Sequence, residues 1–194
     1  SDISLFGGHK IGSNDLLSLI HQANKDETCE GFIMKIGSIS SSLSSIGLIQ
    51  EIIQEIMKGK KKGKRVIAYI ENWATLPEYY LASIADKIIM PELGTISHLG
   101  INLEILKTKN FLNNWGINPL IITSGKYKGT LSPNTDKLSE EKEVVLEELV
   151  NSLYHQVLFD IKENRKLDWD KVSKIFDGRL ITASEALELG LIDS

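Results

Sequence analysis

Short apolar runs typical of β-strands alternate along this chain of 194 residues with longer stretches of helical periodicity. The runs predict four strands, over residues 31–36, 65–71, 87–90 and 119–123. Apolar residues spaced three or four positions apart predict helices over 15–24, 46–56, 77–85, 103–115, 139–165 and 169–177, and a last helix beginning near 182. Because the alternation contains no low-complexity linker and no internal repeat, we expect one α/β domain over residues 1–194.

Composition excludes several classes of protein. Hydrophobic residues make up 42% of the chain and charged residues 25%, and the formal net charge is −4. This acidic balance argues against binding of nucleic acid, and the basic run 58–65 is better explained as a solvated turn between a helix and a strand. Cys29 is the single cysteine and cannot form an internal disulfide, and the four histidines show no paired spacing for metal ligands. We expect no metal and no cofactor.

The sequence predicts no membrane-spanning or targeting segment. The longest apolar stretches, such as 32–36 and 66–70, fall far short of the roughly 20 residues that cross a bilayer. Residues 1–12 lack the charged and apolar regions of a signal peptide. The chain opens abruptly on residues 3–8, which resemble the end of a strand. We therefore expect a fragment of a longer protein, with any membrane anchor outside this chain.

Generic catalytic motifs, such as a nucleophile elbow, a phosphate loop or a dinucleotide fingerprint, are absent from the sequence. Three other segments carry a combined signal. Residues 124–135 run Ser-Gly-Lys-Tyr-Lys-Gly-Thr-Leu-Ser-Pro-Asn-Thr, residues 79–88 run Tyr-Tyr-Leu-Ala-Ser-Ile-Ala-Asp-Lys-Ile, and residues 176–193 contain Asp-Gly-Arg and later Leu-Gly-Leu-Ile-Asp. Together they resemble the signal peptide peptidase A family, whose members are peptidases with a Ser/Lys dyad.

The resemblance implies a crotonase/ClpP-like fold, a spiral of ββα units, and a candidate general base. In that family a Gly-x-Tyr/His-Lys segment supplies the base, and Lys128 occupies the matching position in this chain. A lysine acts as a base only when it is neutral, and burial favours the neutral form because it disfavours the ammonium ion. Backbone N–H groups must then stabilise the oxyanion.

Other parts of the family's machinery are altered. Alignment on the two tyrosines puts Leu76 at the nucleophile position, and a leucine cannot attack a carbonyl. The oxyanion loop aligns on residues that include Ser40 and Ser41 in place of glycines, and a supporting serine falls near His98. Thr75 has a hydroxyl beside Leu76, but the Thr-x-x-Glu spacing already predicts a helix-capping box there. Whether Thr75 or another hydroxyl substitutes as the nucleophile stays open.

A chain that has the lysine but lacks the nucleophile resembles the amino-terminal half of the family's tandem members. In those members, one half contributes the lysine of the dyad and the other half contributes the serine. The resemblance then implies a half-domain of a serine peptidase for cleaved signal peptides or other extended apolar peptides, inactive alone. It also implies a homologous partner domain with the serine, self-association, and a place on the extracytoplasmic side of the cell membrane.

Two alternatives remain at this stage. In the first, the chain is a non-catalytic scaffold or assembly domain of the same fold, and Lys128 is then expected to be solvated. In the second, it is a crotonase-type acyl-CoA enzyme. That alternative ranks last, because it would need the oxyanion loop that Ser40 and Ser41 alter.

Overall fold

The chain forms two compact units, residues Ser1–Gly100 with Val157–Ser194, and residues Ile101–Gln156. The computed structural model describes residues 3–4, 10–11, 13–39, 43–135, 137–168, 170 and 176–194. Their elements, in chain order, are β1 (Ile3–Ser4), β2 (Lys10–Ile11), α1 (Ser13–Lys25), β3 (Gly31–Ile36), α2 (Leu43–Lys61), β4 (Arg65–Ile70), β5 (Trp73–Ala74), α3 (Leu76–Ser83), β6 (Lys87–Ile89), β7 (Thr95–Ile96), α4 (Lys109–Asn114), α5 (Glu140–Arg165), β8 (Ile181–Thr182) and α6 (Ala183–Glu188).

A parallel sheet in the order β3-β4-β6 forms the centre of the first unit. Phe32 of β3 lies opposite Val66 of β4, and Ala68 of β4 lies opposite Ile88 of β6. The central strand β4 buries Val66, Ala68 and Ile70 completely. Parallel neighbours need crossover connections, and α2 and α3 supply them here.

Helix α2 covers this sheet with a stripe of isoleucines. Ile49, Ile52 and Ile56 are all buried, which is the consequence of their three- and four-residue spacing. Helix α1 packs beside α2, and the side-chain amide of Asn24 donates to the backbone oxygen of Glu55 at 2.7 Å. The apolar face that the sequence predicts for α2 is therefore the face that packs into the core.

Every residue of helix α3 is buried. The hydroxyl of Tyr79 donates to the Leu191 carbonyl at 2.8 Å, and that of Tyr80 donates to Asp160 Oδ2 at 2.6 Å. Burial raises the pKa of both hydroxyls above the usual range. A second small sheet has the strand order β5-β7-β8, and in it Ala74 of β5 lies opposite Ile96 of β7.

The second unit contains α4, the first turns of α5, and long connecting segments. The sequence predicts a helix over 103–115, but the helix extends only over Lys109–Asn114. The predicted strand 119–123 is wrong, because no described strand pairs with this segment. Its Leu120 and Ile122 are 85% and 87% exposed. An apolar run becomes a strand only when a neighbour accepts its backbone hydrogen bonds.

Most of the predicted fold is confirmed at the level of its class. Helices and small parallel sheets alternate, as in an α/β protein. Strands 31–36, 65–71 and 87–90 are confirmed to within one residue at their ends, and the long helix is confirmed over Glu140–Arg165. Most of the helix predicted over 169–177 lies outside the described residues.

Candidate functional site

The amino end of α3 holds the position that the alignment gives to the nucleophile. Leu76 is the first residue of the helix and is only 5% exposed. Thr75, the N-cap residue, donates its backbone N–H to Glu78 Oε2 at 2.9 Å, and its hydroxyl donates to the same oxygen. The capping box predicted from the sequence is therefore confirmed. The Thr75 hydroxyl is engaged in that cap.

The carboxylate of Glu78 also reaches a distant loop. Its side chain is 2% exposed, and its Oε1 accepts the backbone N–H of Ile39 at 2.5 Å. Ile39 follows β3, in the loop that the alignment equates with the oxyanion loop. The capping pattern signals the local contact with Thr75, whereas the contact with Ile39 depends on the tertiary fold and has no sequence signal.

A stacked pair of rings lies at the end of the small sheet. The His98 and Trp73 ring centroids are 6.2 Å apart, with the planes 17° from parallel. His98 has φ +52°, an uncommon backbone conformation for a residue with a Cβ. Its Nδ1 lies 2.8 Å from the hydroxyl of Ser97, which is completely buried. The alignment made from the sequence places the family's supporting serine near His98.

An apolar groove lies along the outer edge of β3. Its volume is about 550 Å³, and it lies between α1 and β3. Its apolar lining includes Leu16, Leu19, Ile20, Ile33 and Met34. Ile33 is 81% exposed, and no other described strand pairs with this edge of β3. An extended apolar peptide could bind here as an added strand.

The second unit carries Lys128, in a series of tight turns over residues 124–131. Gly125 and Gly129 adopt φ +93° and +81°, which a residue with a side chain adopts only under strain, so these two glycines on either side of Lys128 have a backbone role. The backbone N–H of Lys128 donates to the Gly125 carbonyl at 3.2 Å. The Lys128 side chain is exposed, and its amine has no hydrogen-bond or ion-pair partner among the described residues.

The neighbouring lysine, Lys126, has a different environment. Its ammonium group forms a close ion pair with the carboxylate of Glu141, in the first turn of α5. The hydroxyl of Tyr127 donates to the same Glu141 oxygen at 2.9 Å. The hydrogen bond from Glu141 raises the pKa of Lys126, and the hydrogen bond from Lys126 lowers the pKa of Glu141. Lys126 is therefore held in its charged form.

A third lysine fixes the far end of the same segment. The Lys107 ammonium donates to the carbonyl of Ser132 at 3.0 Å, to the hydroxyl of Thr135 at 2.8 Å and to the carbonyl of Thr130 at 3.3 Å. Glu141 and Lys107 thus anchor the two ends of the turn that carries Lys128. Sequence reasoning missed both anchors, because isolated charged residues carry no local signal for such contacts.

The residues proposed from the sequence are distributed over the two units. Leu76 belongs to the first unit and Lys128 to the second. Ser40 and Ser41 lie outside the described residues. In the part of the chain that the structure describes, no group of His, Cys, Asp or Glu side chains is arranged to hold a metal ion. No described helix is both long and apolar enough to span a bilayer.

Comparison with known proteins identifies the family. The model of peptidase family S49 matches residues 58–194, which is more than half of the chain. The chain belongs to peptidase family S49. It is 26% identical over 190 residues to a candidate signal peptide peptidase SppA of Enterococcus faecium, covering 98% of this chain and 54% of that protein. It is 27% identical over 165 residues to Protease 4 of Haemophilus influenzae, covering 84% of this chain and 26% of that protein.

A plant relative is likewise much longer than this chain. The chain is 23% identical over 187 residues to the chloroplastic serine protease SPPA of Arabidopsis thaliana, covering 96% of this chain and 27% of that protein. The chain thus spans between about a quarter and about half of the length of these three S49 relatives.

Proposed function

We propose that this S49 chain is a half-domain of a serine peptidase that donates Lys128 as the general base to a serine on a second, homologous domain. The names of its relatives, which include signal peptide peptidase and serine protease, support a peptidase role. Leu76 at the nucleophile position supports the need for a serine from elsewhere. Cleaved signal peptides or other extended apolar peptides are the proposed substrates.

The contrast between the two motif lysines carries the proposal. Lys126 is held as an ammonium ion by Glu141, and a charged lysine cannot accept a proton. Lys128 has an exposed side chain with no partner among the residues that the structure describes, on a turn whose two ends are anchored. An amine presented in this way is available to a partner domain, whose packing would bury it and favour its neutral form.

The chemistry then follows that of an acyl-transfer peptidase. The partner's serine hydroxyl gives its proton to Lys128 Nζ while its oxygen bonds to the scissile carbonyl carbon. Lys128 returns the proton to the leaving amine as the peptide C–N bond breaks. Water, deprotonated by the same amine, hydrolyses the acyl-enzyme and restores the serine. Backbone N–H groups of the partner would stabilise the oxyanion.

Substrate binding is proposed for the groove along β3. A peptide added at the open edge of that strand gains main-chain hydrogen bonds, and the apolar lining favours apolar side chains. We also propose the family's finer properties for the complete protein: the crotonase/ClpP-like spiral, self-association, and a membrane anchor outside this chain that holds it on the extracytoplasmic side. The family match supports these proposals.

One observation favours a second candidate, the non-catalytic scaffold of the same fold. A scaffold expects a solvated Lys128, and Lys128 is exposed in the isolated chain. The peptidase proposal therefore requires that a partner bury this side chain.

Turnover of apolar peptides by the complete protein separates the candidates. Lys128→Ala and Lys128→Arg should each lower kcat by roughly 10²–10⁴-fold, because a general base contributes that factor and arginine stays charged. Lys126→Ala is the matched control and should remain within a few-fold of the parent. All three variants should keep their thermal stability, since exposed lysines contribute little.

Two other outcomes would change the assignment. If Lys126→Ala loses turnover and Lys128→Ala retains it, the alignment is displaced by two residues. If both variants retain turnover, the lysine-donor proposal is wrong and the scaffold becomes the better account.

A further inference from the structure

We propose that Lys107 is a positioning residue for the general base. Its ammonium group binds the segment 130–135, which directly follows the turn that carries Lys128, and thereby fixes the direction in which the Lys128 side chain is presented. This inference deepens the proposed function and rests on it, because the position of Lys128 affects catalysis only if Lys128 accepts the proton.

The hydrogen-bonding capacity of Lys107 is directed at one short segment. An ammonium group has three N–H donors, and three oxygen acceptors lie around that of Lys107. They are the hydroxyl of Thr135 at 2.8 Å, the carbonyl of Ser132 at 3.0 Å and the carbonyl of Thr130 at 3.3 Å. The residue is half-buried, and no carboxylate forms an ion pair with it in the part of the chain that the structure describes. Lys107 is therefore not an ordinary solvated surface lysine.

Thr130 connects this contact to the residue that precedes Lys128. Thr130 is 8% exposed, and its hydroxyl donates to the carbonyl of Tyr127 at 2.6 Å. Its backbone N–H donates to the same oxygen at 3.2 Å. The Tyr127 hydroxyl in turn donates to Glu141, at the start of α5. The backbone is thus held on both sides of Lys128, and the rotamers open to a side chain depend on its backbone.

The position of the Lys128 amine matters because proton transfer has a short reach. A general base must lie roughly 2.6–3.2 Å from the atom whose proton it accepts. A displacement of about 1 Å can lower the rate of catalysis by about 100-fold. Since the proposed peptide groove lies along β3, in the other unit, loss of Lys107 should affect kcat and leave KM almost unchanged.

Turnover of apolar peptides by the complete protein tests the positioning role. Lys107→Met keeps a long, flexible side chain and removes the ammonium donors. We expect its kcat to fall about 10- to 100-fold, with KM within about twofold of the parent. Lys107→Arg keeps the positive charge and several N–H donors, so it should recover part of the lost kcat.

The matched control is Thr108→Val, at the next position in the chain. The Thr108 hydroxyl contacts the same segment farther from Lys128, at Asn134 Oδ1, over 3.0 Å. Loss of this contact should leave kcat within about twofold of the parent.

A double variant tests whether Lys107 acts through Lys128. Lys107→Met should lower kcat no further in a protein that already carries Lys128→Ala, because a positioning residue has no effect once the base is absent. A merely structural role of Lys107 would lower turnover in both backgrounds.

A measurement on the 194-residue chain tests the geometry without turnover. Relaxation of ¹⁵N nuclei reports backbone motion on the ps–ns timescale. Residues 127–132 should be more mobile in Lys107→Met than in the parent, and equal order parameters would contradict the proposal. If Lys107→Met does not fold, Lys107→Gln replaces it in both experiments, because it stays polar but lacks the charge and the length.

The outcomes separate this inference from the proposed function. A Lys107→Met protein with the kcat of the parent, alongside a Lys128→Ala protein that has lost turnover, would overturn the positioning role alone. The same holds for a further loss of kcat in the double variant. Retained turnover in Lys128→Ala would overturn the proposed function, and the positioning role with it.

Discussion

At the scale of single residues, two lysines of the same motif differ in their electrostatic environment. Lys126 and Lys128 are separated by one tyrosine, and sequence position alone gives no physical reason to prefer either as a base. The Glu141 carboxylate raises the pKa of Lys126, whereas Lys128 has no described partner. The sequence favours Lys128 over Lys126 as the general base only through the motif. The ion pair of Lys126 adds a physical reason for the same preference.

The charge of Glu141 should control the titration of Lys126. We predict that Glu141→Gln lowers the pKa of Lys126 toward its ordinary value, because the variant removes the negative charge and weakens the hydrogen bond. NMR titration of lysine side chains labelled with ¹³C measures this directly. Glu140→Gln, one residue earlier on the same exposed turn, is the matched control and should leave the titration unchanged. An unchanged Lys126 pKa in Glu141→Gln would contradict the ion pair.

A second carboxylate, Glu55, makes the stability of the first unit depend on pH. Hydrogen bonds from Lys58 at 2.6 Å, and then from His21 at 3.0 Å, lower the pKa of Glu55 from 4.5 to about 2. The stability gained in this way is complete above pH 4.5 and is lost as the pH falls toward 2.

We therefore predict that the free energy of unfolding falls less between pH 5 and pH 3 in Glu55→Gln than in the parent. The difference between the two proteins should be up to about 2 kcal/mol. Urea denaturation at the two pH values measures it. Equal losses in both proteins would show that Glu55 is not stabilised in the folded state.

At the scale of elements, the cap of α3 is the clearest link between sequence and local structure. Thr75→Ala removes the hydroxyl that donates to Glu78, so we predict a loss of about 1 kcal/mol in the free energy of unfolding. Thr75→Ser keeps a hydroxyl and should recover most of that loss. Urea denaturation of the three proteins tests the prediction, and a Thr75→Ala protein as stable as the parent would contradict it.

Elements that carry their own periodic apolar pattern and find a pairing neighbour could be predicted, and an apolar run without such a neighbour could not. The strands around β4 follow from their own apolar runs, because their neighbours lie in the same unit. Residues 119–123 have an equally apolar run and form no strand, because nothing described accepts their hydrogen bonds. Likewise, Val157 and Ile161 of α5 are buried, whereas Val145 and Leu149 share their four-residue spacing but stay exposed within their own unit.

The candidate site shows the same division. The Thr75–Glu78 spacing is a local pattern, so the sequence predicts the capping box. The Glu78 contact with Ile39, the Lys126–Glu141 pair and the Lys107 contacts join residues 15 to 39 positions apart. Such contacts are set by tertiary packing, and a single sequence contains no periodic signal for them.

At the scale of the whole molecule, the proposal divides catalysis between this chain and a partner. We predict that the purified 194-residue chain does not hydrolyse apolar peptides, because Leu76 occupies the nucleophile position and the Thr75 hydroxyl is engaged by Glu78. A fluorogenic peptide assay checks this. Hydrolysis that disappears in Thr75→Ala would instead identify Thr75 as the nucleophile.

The central claim is that Lys128 of this chain serves a serine of another domain. An experimental structure of the complete, assembled protein tests it through one distance, from Lys128 Nζ to the nearest serine Oγ of the partner domain. Our account predicts a hydrogen-bonding distance, roughly 2.6–3.2 Å, with the amine buried by the partner. A Lys128 side chain that stays solvated in the complete assembly, with no partner serine within reach, would contradict the account and favour the scaffold.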